Sequence, residues 1–433
     1  MLKVCNFIFF LSYAVKVYAL DHEYFSRLSL TSLKSISVRV KNVGQGSGTI
    51  VHNHENDHHL VIDLGSSSDA PVGLEGRIYE EFGFSETASD IPFANDSIVV
   101  ITSHSDQDHI DLFKVVFGLN QSLLNRVGQV ILGDHFDNYF RLSAEGKPIQ
   151  ETRDFIRDFI LRVPNYQSKL LSLSHENVGT SNFMQMLSEL NVSVLGYKGF
   201  IPRFSVSREY FFKDGQPGEI DFLGVNSGDG STSKIKDTNA NSAVVRLLIN
   251  GHNILIMGDA TGHTTDRILG SISNPSILKA DLLIASHHGA DNEDTNHITW
   301  TAVTKPECVI ISHGFNSGYG HPTLTAIANF MATGVSNPIE SLPHDFSVNV
   351  FNQRVTELRG KEKERKEIWI RKGPPLLNLH ASIFGLSLVG LDVDHEGWFL
   401  YSTSKPIYGT GTSGDLTYVI SKDGTLMDFK REH

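Results

Sequence analysis

The run Ser97-Ile98-Val99-Val100-Ile101 is short, apolar and β-branched, and it leads directly into Thr102-Ser103-His104-Ser105-Asp106-Gln107-Asp108-His109. Such a run predicts a buried strand, and a strand end holds the following loop rigidly. Two imidazoles and two carboxylates are thereby crowded together. Adjacent carboxylates resist joint ionisation unless a cation neutralises them. His104, Asp106, Asp108 and His109 are accordingly candidate metal ligands. Nitrogen and oxygen donors without a thiolate suit zinc or manganese, with nickel and iron also admissible.

Other strand ends in the second half carry the same chemistry. Ile254-Leu255-Ile256-Met257 runs into Gly258-Asp259, and Ala280-Asp281-Leu282-Leu283-Ile284-Ala285-Ser286 into His287-His288-Gly289. Cys308-Val309-Ile310-Ile311 ends in Ser312-His313-Gly314, and Tyr319-Gly320-His321-Pro322-Thr323 precedes a helix. Asn239-Ala240-Asn241-Ser242 leads a further strand. Asp259 taken alone is an ordinary turn or cap residue. If these strands share a sheet, their ends line one rim and the polar side chains converge on one site.

Upstream, Ser35 to Lys41 alternates as a half-buried strand, Asn42 to Gly48 is a glycine turn, and Thr49-Ile50-Val51 and Leu60 to Leu64 are two more strands. The glycines would let backbone approach a metal site closely. His52, His54, His58 and His59 read as solvated residues of a hairpin tip. Beyond the metal loop, Ile110 to Val116 has helical spacing, and a helical insertion is expected at about residues 140–200. Its segments are Gln150 to Leu161 and Ser181 to Leu190, divided by Pro164. His135 and His175 read as surface residues.

The first residues resemble a secretory signal peptide over 1–19: a positive start at Lys3, an apolar centre from Phe7 to Leu11, and a small-residue end at Ala19. No later stretch is long and apolar enough to span a bilayer, so the expectation is a secreted or periplasmic protein. Cys5 would leave with that segment, and Cys308 would remain as a buried free thiol. Residues 20–372 are expected to form the main domain, and 373–433 a small β-rich appendage with strands at Ile383 to Val393, Trp398 to Ser402 and Leu416 to Ile420. The formal net charge of -12 argues against a surface that grips nucleic acid through bulk electrostatics. Nucleic acid stays admissible as a substrate, because bound metals supply positive charge locally.

In this order the motifs resemble those of the metallo-β-lactamase-fold hydrolases, and among them the soluble domain of ComEC-type competence proteins and its free-standing relatives. The matching elements are Val43-Gly44-Gln45-Gly46, Ile62-Asp63-Leu64-Gly65, the His-x-Asp-x-Asp-His loop from His104 to His109, Asn241-Ser242, Gly258-Asp259, His287-His288-Gly289 and Tyr319-Gly320-His321-Pro322. The chain departs from the commonest form at Asp106, where many members carry a second His, and at Ser47 and Asn42, where Asp is usual.

The resemblance implies an α/β (α+β) fold, a four-layer αββα sandwich with two divalent metal ions at the rim between its sheets, zinc first and manganese second. By the same carry-over, His104 and Asp106 help bind one metal and Asp108 and His109 the other; Asp259 bridges, and His287 or His288 completes the shell. Asp108 would also orient a hydroxide held between the metals. Asn241 and His321 would contact the substrate oxyanion, His321 also protonating the leaving group. Competence-type relatives are associated with degrading a DNA strand, and secreted relatives include phosphorylcholine esterases. The acidic balance favours a small or cell-envelope phosphodiester over long DNA. A lactonase or β-lactamase-type hydrolase, and a non-catalytic secreted binding protein on the same fold, are the alternatives.

Overall fold

The structure is a computed structural model that describes residues 35–67, 70–83, 95–135, 138–139, 150, 154–173, 193–194, 211–212, 218–225, 238–314, 320–333, 344–349, 387–391, 398–421 and 426–432. The signal-like segment, Ser181 to Leu190 and His175 lie outside these residues.

β1 (Ile36–Val40), β2 (Gly48–Asn53) and β3 (His58–Leu64) form an antiparallel meander. Pairing then turns parallel through β4 (Ile98–Thr102), β5 (Val127–Leu132), β6 (Leu170–Ser172) and β7 (Ser193–Val194). Parallel neighbours need a crossover. α1 (Leu74–Glu81) lies between β3 and β4, and α2 (Leu112–Val116) and α3 (Gln121–Arg126) between β4 and β5.

The second half repeats the scheme. β8 (Gly218–Gly224), β9 (Val244–Ile249) and β10 (His252–Ile256) are antiparallel, whereas β11 (Leu282–Ile284) and β12 (Cys308–Ile311) continue in parallel from β10. α4 (Gly262–Ser271) and α5 (Ile298–Thr304) make the crossovers, and α6 (Leu324–Ala332) follows β12. β13 (His344–Asn349), β14 (Ser387–Leu391) and β15 (Trp398–Thr403) form a separate three-stranded sheet.

The last strands correct the expected appendage. β16 (Ile407–Gly409) pairs with β12, and β17 (Asp415–Ile420) pairs with β1 and carries β18 (Leu426–Glu432) on its outer edge. The chain end thus completes both sheets, which run β18-β17-β1-β2-β3-β4-β5-β6-β7 and β16-β12-β11-β10-β9-β8. Leu416, Tyr418 and Ile420 point into the core between the sheets. Alternation marks a strand locally but not the edge to which it will add.

Three apolar clusters define four layers. Ile98 and Val100 face outward from the first sheet and pack with Ile78, Phe113 and Leu123 of its helices. Val99 and Ile101, one residue out of phase, face the second sheet and meet Val245, Ile254 and Ile284. Leu255, Leu283 and Val309 cover the far side of the second sheet with Ile268, Trp300 and Phe330. This is the αββα sandwich that the resemblance implies. Each fully buried aliphatic side chain contributes about 1.5–3 kcal/mol, which explains why β4 reads as an unbroken apolar run.

Other expectations change. The Gln150 to Leu161 segment holds a π-helical turn at Phe155–Phe159 and a 3-10 turn at Ile160–Arg162, fixed by Phe155 and Phe159 in the outer core rather than by a regular amphipathic helix. Of the hairpin histidines, His52, His54 and His58 are partly exposed and one is not solvated. His52, His58 and His59 belong to β2 and β3, and His59 is fully buried: Arg126 donates to its Nδ1 at 3.3 Å, and its Nε2 donates to the Glu81 carbonyl at 3.0 Å. His135 is also buried. Cys308 is a free thiol whose pKa is pushed up by burial. No helix among the described residues is long and apolar enough to cross a membrane.

Candidate metal centre

The site lies where β4, β10, β11 and β12 end at their carboxyl termini, the usual place for chemistry in parallel sheets. The metal loop lies directly against the first hairpin. A Cβ at Gly65 would sit 2.4 Å from the His109 nitrogen, and the Ser47 amide donates to the Asp108 carbonyl at 2.9 Å. Only glycine at 65 allows that approach.

Hydrogen bonds fix which face each imidazole turns to the site. Asp63 accepts from the Ser103 amide at 2.6 Å and from the Ser103 hydroxyl at 2.7 Å. That hydroxyl proton is therefore spoken for, so at the 3.0 Å contact the His104 Nδ1–H donates to Ser103 Oγ. His109 Nδ1–H donates to Asp63 at 2.9 Å, and His288 Nδ1–H donates to the Ser312 carbonyl at 2.8 Å. All three rings present an Nε2 lone pair to the centre. None of these buried Nε2 atoms has a hydrogen-bond partner.

Carboxylate oxygens face them. Asp259 Oδ1 lies 3.1 Å from His109 Nε2 and 3.7 Å from His288 Nε2, and Asp108 Oδ2 lies 3.4 Å from His288 Nε2. On the other side, Asp259 Oδ2 is 3.8 Å from His104 Nε2 and 3.7 Å from His287 Nε2, and Asp106 Oδ2 is 3.7 Å from His104 Nε2. The two oxygens of Asp259 thus serve two neighbouring groups. His104, His109 and Asp259 have ligand atoms mutually within 4.8 Å, as do Asp108, His109 and His288.

Lone pairs pointed at carboxylates repel unless a cation or a proton lies between them. Burial works against a charged His109, yet Asp259 and Asp63 hold its pKa well above the ordinary value. Burial likewise opposes charge on Asp259, and His109, His287 and His288 nevertheless keep it well below the carboxylate range. These residues fit a divalent cation by donor type, by orphaned buried atoms and by ring orientation.

The backbone at the second strand end is strained. His287 and His288 both adopt left-handed φ values, 48° and 53°. Each such residue costs on the order of 1–3 kcal/mol and needs support. Asn296 supplies it, donating to the Ser286 and Ala290 carbonyls at 2.9 Å each, while the His287 amide donates to the Gly258 carbonyl at 2.9 Å.

A cavity of about 370 Å³ opens over the cluster, lined by Asp106, Asp108, Asp259, His287 and His288 and by Gln45, Ser67, Gln107, Asn239 and His321. Every residue expected as a ligand is therefore gathered at this one place. His321 reaches it too; burial, with His287 and His288 nearby, lowers its pKa to about 3, so it offers a neutral imidazole rather than a ready proton. Asn241 does not reach the cavity. It is fully buried, its amide donating to Thr238 O at 3.2 Å, and Asn239 faces the cavity in its place. Asp63, although part of the Ile62-Asp63-Leu64-Gly65 motif, has no site role in the sequence reading, and neither have Asn239, Gln45, Ser67 and Gln107 of the cavity wall. The mark of Asp63 is a carboxylate set inside the apolar run Leu60 to Leu64.

His52, Asp57 and His59 also converge. There the Arg126 guanidinium already supplies the positive charge, 3.2 Å from Asp57 Oδ2 and 3.3 Å from His59 Nδ1.

No protein-family model matches the chain, and no curated protein does. Among solved structures it is similar to a protein of unknown function from Enterococcus faecalis V583, at 12% identity and a TM-score of 0.28, over 70% of this chain and 64% of that one. A diphosphatase of the PhnP family aligns at 10% identity and a TM-score of 0.29, over 65% of this chain and 87% of that one. Zn(2+)-bound PqqB from Methylobacterium extorquens aligns at 11% identity and a TM-score of 0.29, over 68% and 74%.

Proposed function

We propose that the chain is an exported hydrolase that depends on two divalent metal ions, zinc or manganese, and cleaves phosphodiesters. One observation carries this: His104, His109 and His288 are each anchored through Nδ1 and aim bare Nε2 atoms at the oxygens of Asp108 and Asp259. His104, Asp106, Asp259 and His287 would hold one ion; Asp108, His109, His288 and the other Asp259 oxygen would hold the second.

Divalent ions there supply Lewis acidity and a water of lowered pKa. The chain's own groups do the rest. Asp108, only partly buried at the cavity wall, orients the attacking water. His321, neutral, gives or receives a hydrogen bond at the leaving-group side. The signal-like residues 1–19 support export. The cavity's open carboxylates and amides suit a small polar diester.

Metal content per chain, measured with hydrolysis of bis(p-nitrophenyl) phosphate, tests this. About two ions and metal-dependent turnover are expected, both lost in Asp108→Ala with Asp259→Ala. Metal without diester turnover redirects the substrate to esters or lactams. Wild-type protein without stoichiometric metal overturns the hydrolase.

A further inference from the structure

We infer that Gln45 and Asn239 are a pair of amide donors, one from each half of the sandwich, that hold the non-bridging phosphoryl oxygens of the substrate. The inference rests on the hydrolase proposed above and adds to it the groups that bind the anion.

Both side chains line the cavity that contains Asp106, Asp108 and Asp259. The Gln45 Oε1 atom accepts from the Gly314 amide at 3.4 Å, which turns its NH2 end away from that contact. Asn239 Oδ1 is buried and has no hydrogen-bond partner. With its oxygen enclosed, the end of the Asn239 amide that meets the cavity is the NH2. The enclosed Oδ1 is an acceptor and gains nothing from a phosphoryl oxygen; what the fold offers the cavity is the donor end of the amide, among the side chains that line it.

Both amides are preorganised. The Gln45 carbonyl accepts from the Ser67 amide at 2.7 Å and from its hydroxyl at 3.2 Å. The Asn239 carbonyl accepts from Ser242 at 3.0 Å, Thr264 ties the adjoining Ala240 carbonyl at 2.8 Å, and Thr238 Oγ1 donates to Asp106 at 3.0 Å. The Asn239 turn is therefore locked to the proposed metal loop itself. Neutral donors suit this position because they bind a phosphoryl oxygen without competing for the carboxylates, as a lysine or arginine would. Donors fixed before the reaction stabilise developing charge without reorganising.

Asn239→Asp and Gln45→Glu replace each NH2 by an oxygen of the same size, and Asn239→Ala removes the group. Metal-loaded proteins are compared in metal content, melting midpoint, calorimetric binding of inorganic phosphate, and kcat and KM for bis(p-nitrophenyl) phosphate. The expected result for Asn239→Asp is wild-type metal content with phosphate affinity weakened at least about tenfold and KM raised in step, Asn239→Ala lying between. Gln45→Glu is expected to match at an unchanged melting midpoint; because Gln45 is buried, Asn239→Asp decides the outcome if that variant unfolds. Phosphate affinity and KM within twofold of wild type in the Asn239 variants overturn the inference. So does loss of metal in parallel with activity, which would make Asn239 a ligand. A wild-type protein that binds metal without turning over the diester removes the phosphodiester reading, and one without stoichiometric metal removes the hydrolase itself; both results are separate from either of these.

Discussion

The Asp63 carboxylate joins the His109 imidazole at 2.9 Å, on the ring edge opposite the one that meets Asp259 at 3.1 Å. Asp63 thus fixes the ring's tautomer while standing one residue removed from the site. Asp63 has a left-handed φ of 55°, which Asn tolerates. Asp63→Asn should keep the backbone and lose the charge, weakening zinc or manganese binding about 10- to 100-fold by calorimetric titration.

Asp259 divides its two oxygens between the His104 and His109 sides. Asp259→Asn keeps the shape but removes the shared charge, so both ions should weaken together. Metal analysis should show content falling from about two ions per chain to less than one, with turnover reduced by about 10³-fold or more. Loss of a single ion would show that Asp259 does not bridge.

Acid should destabilise the fold through His59. Burial, with the nearby His52 and Arg126 charges, depresses its pKa well below the ordinary 6.5. Above pH 6.5 the ring is neutral in both states and contributes no pH dependence. Below that value the unfolded chain takes up a proton that the folded chain refuses, so stability falls as pH falls, by about 1.4 kcal/mol per pH unit until the folded pKa is reached. Urea unfolding at pH 7, 6 and 5 should show this slope, reduced by about one proton in His59→Gln.

The chain end should matter to stability beyond its length. Lys41 is buried between Asp415 at 2.5 Å and Glu81 at 2.8 Å, so β1, α1 and β17 meet at one ammonium group. Asp415→Ala leaves Lys41 with Glu81 as its remaining carboxylate partner and should lower the unfolding free energy by about 1–3 kcal/mol in a denaturant titration. A change below about 1 kcal/mol would mean that the pair is solvated.

The candidate ligands are legible because each sits just past an apolar strand, and a strand end is visible in local sequence. His104, Asp108, His109, Asp259, His287 and His288 all follow that rule. Asp63 and Asn239 do not. Asp63 acts through His109, 46 positions away along the chain, a distance that only folding closes. Asn239 and Asn241 flank one alanine in the same turn, and which of them faces the cavity depends on how the turn packs.

The sequence alone determined the alternation that makes strands, the glycines that let the metal loop approach, and the donor chemistry held at the strand ends, since each is set by neighbours a few residues away. Tertiary structure alone decided that β16 and β17 close the two sheets, that Arg126 fills the His52 and His59 cluster, and that three imidazoles turn the same ring atom inward. Those outcomes depend on hydrogen-bond partners and open sheet edges supplied by distant segments, and no local pattern carries that information.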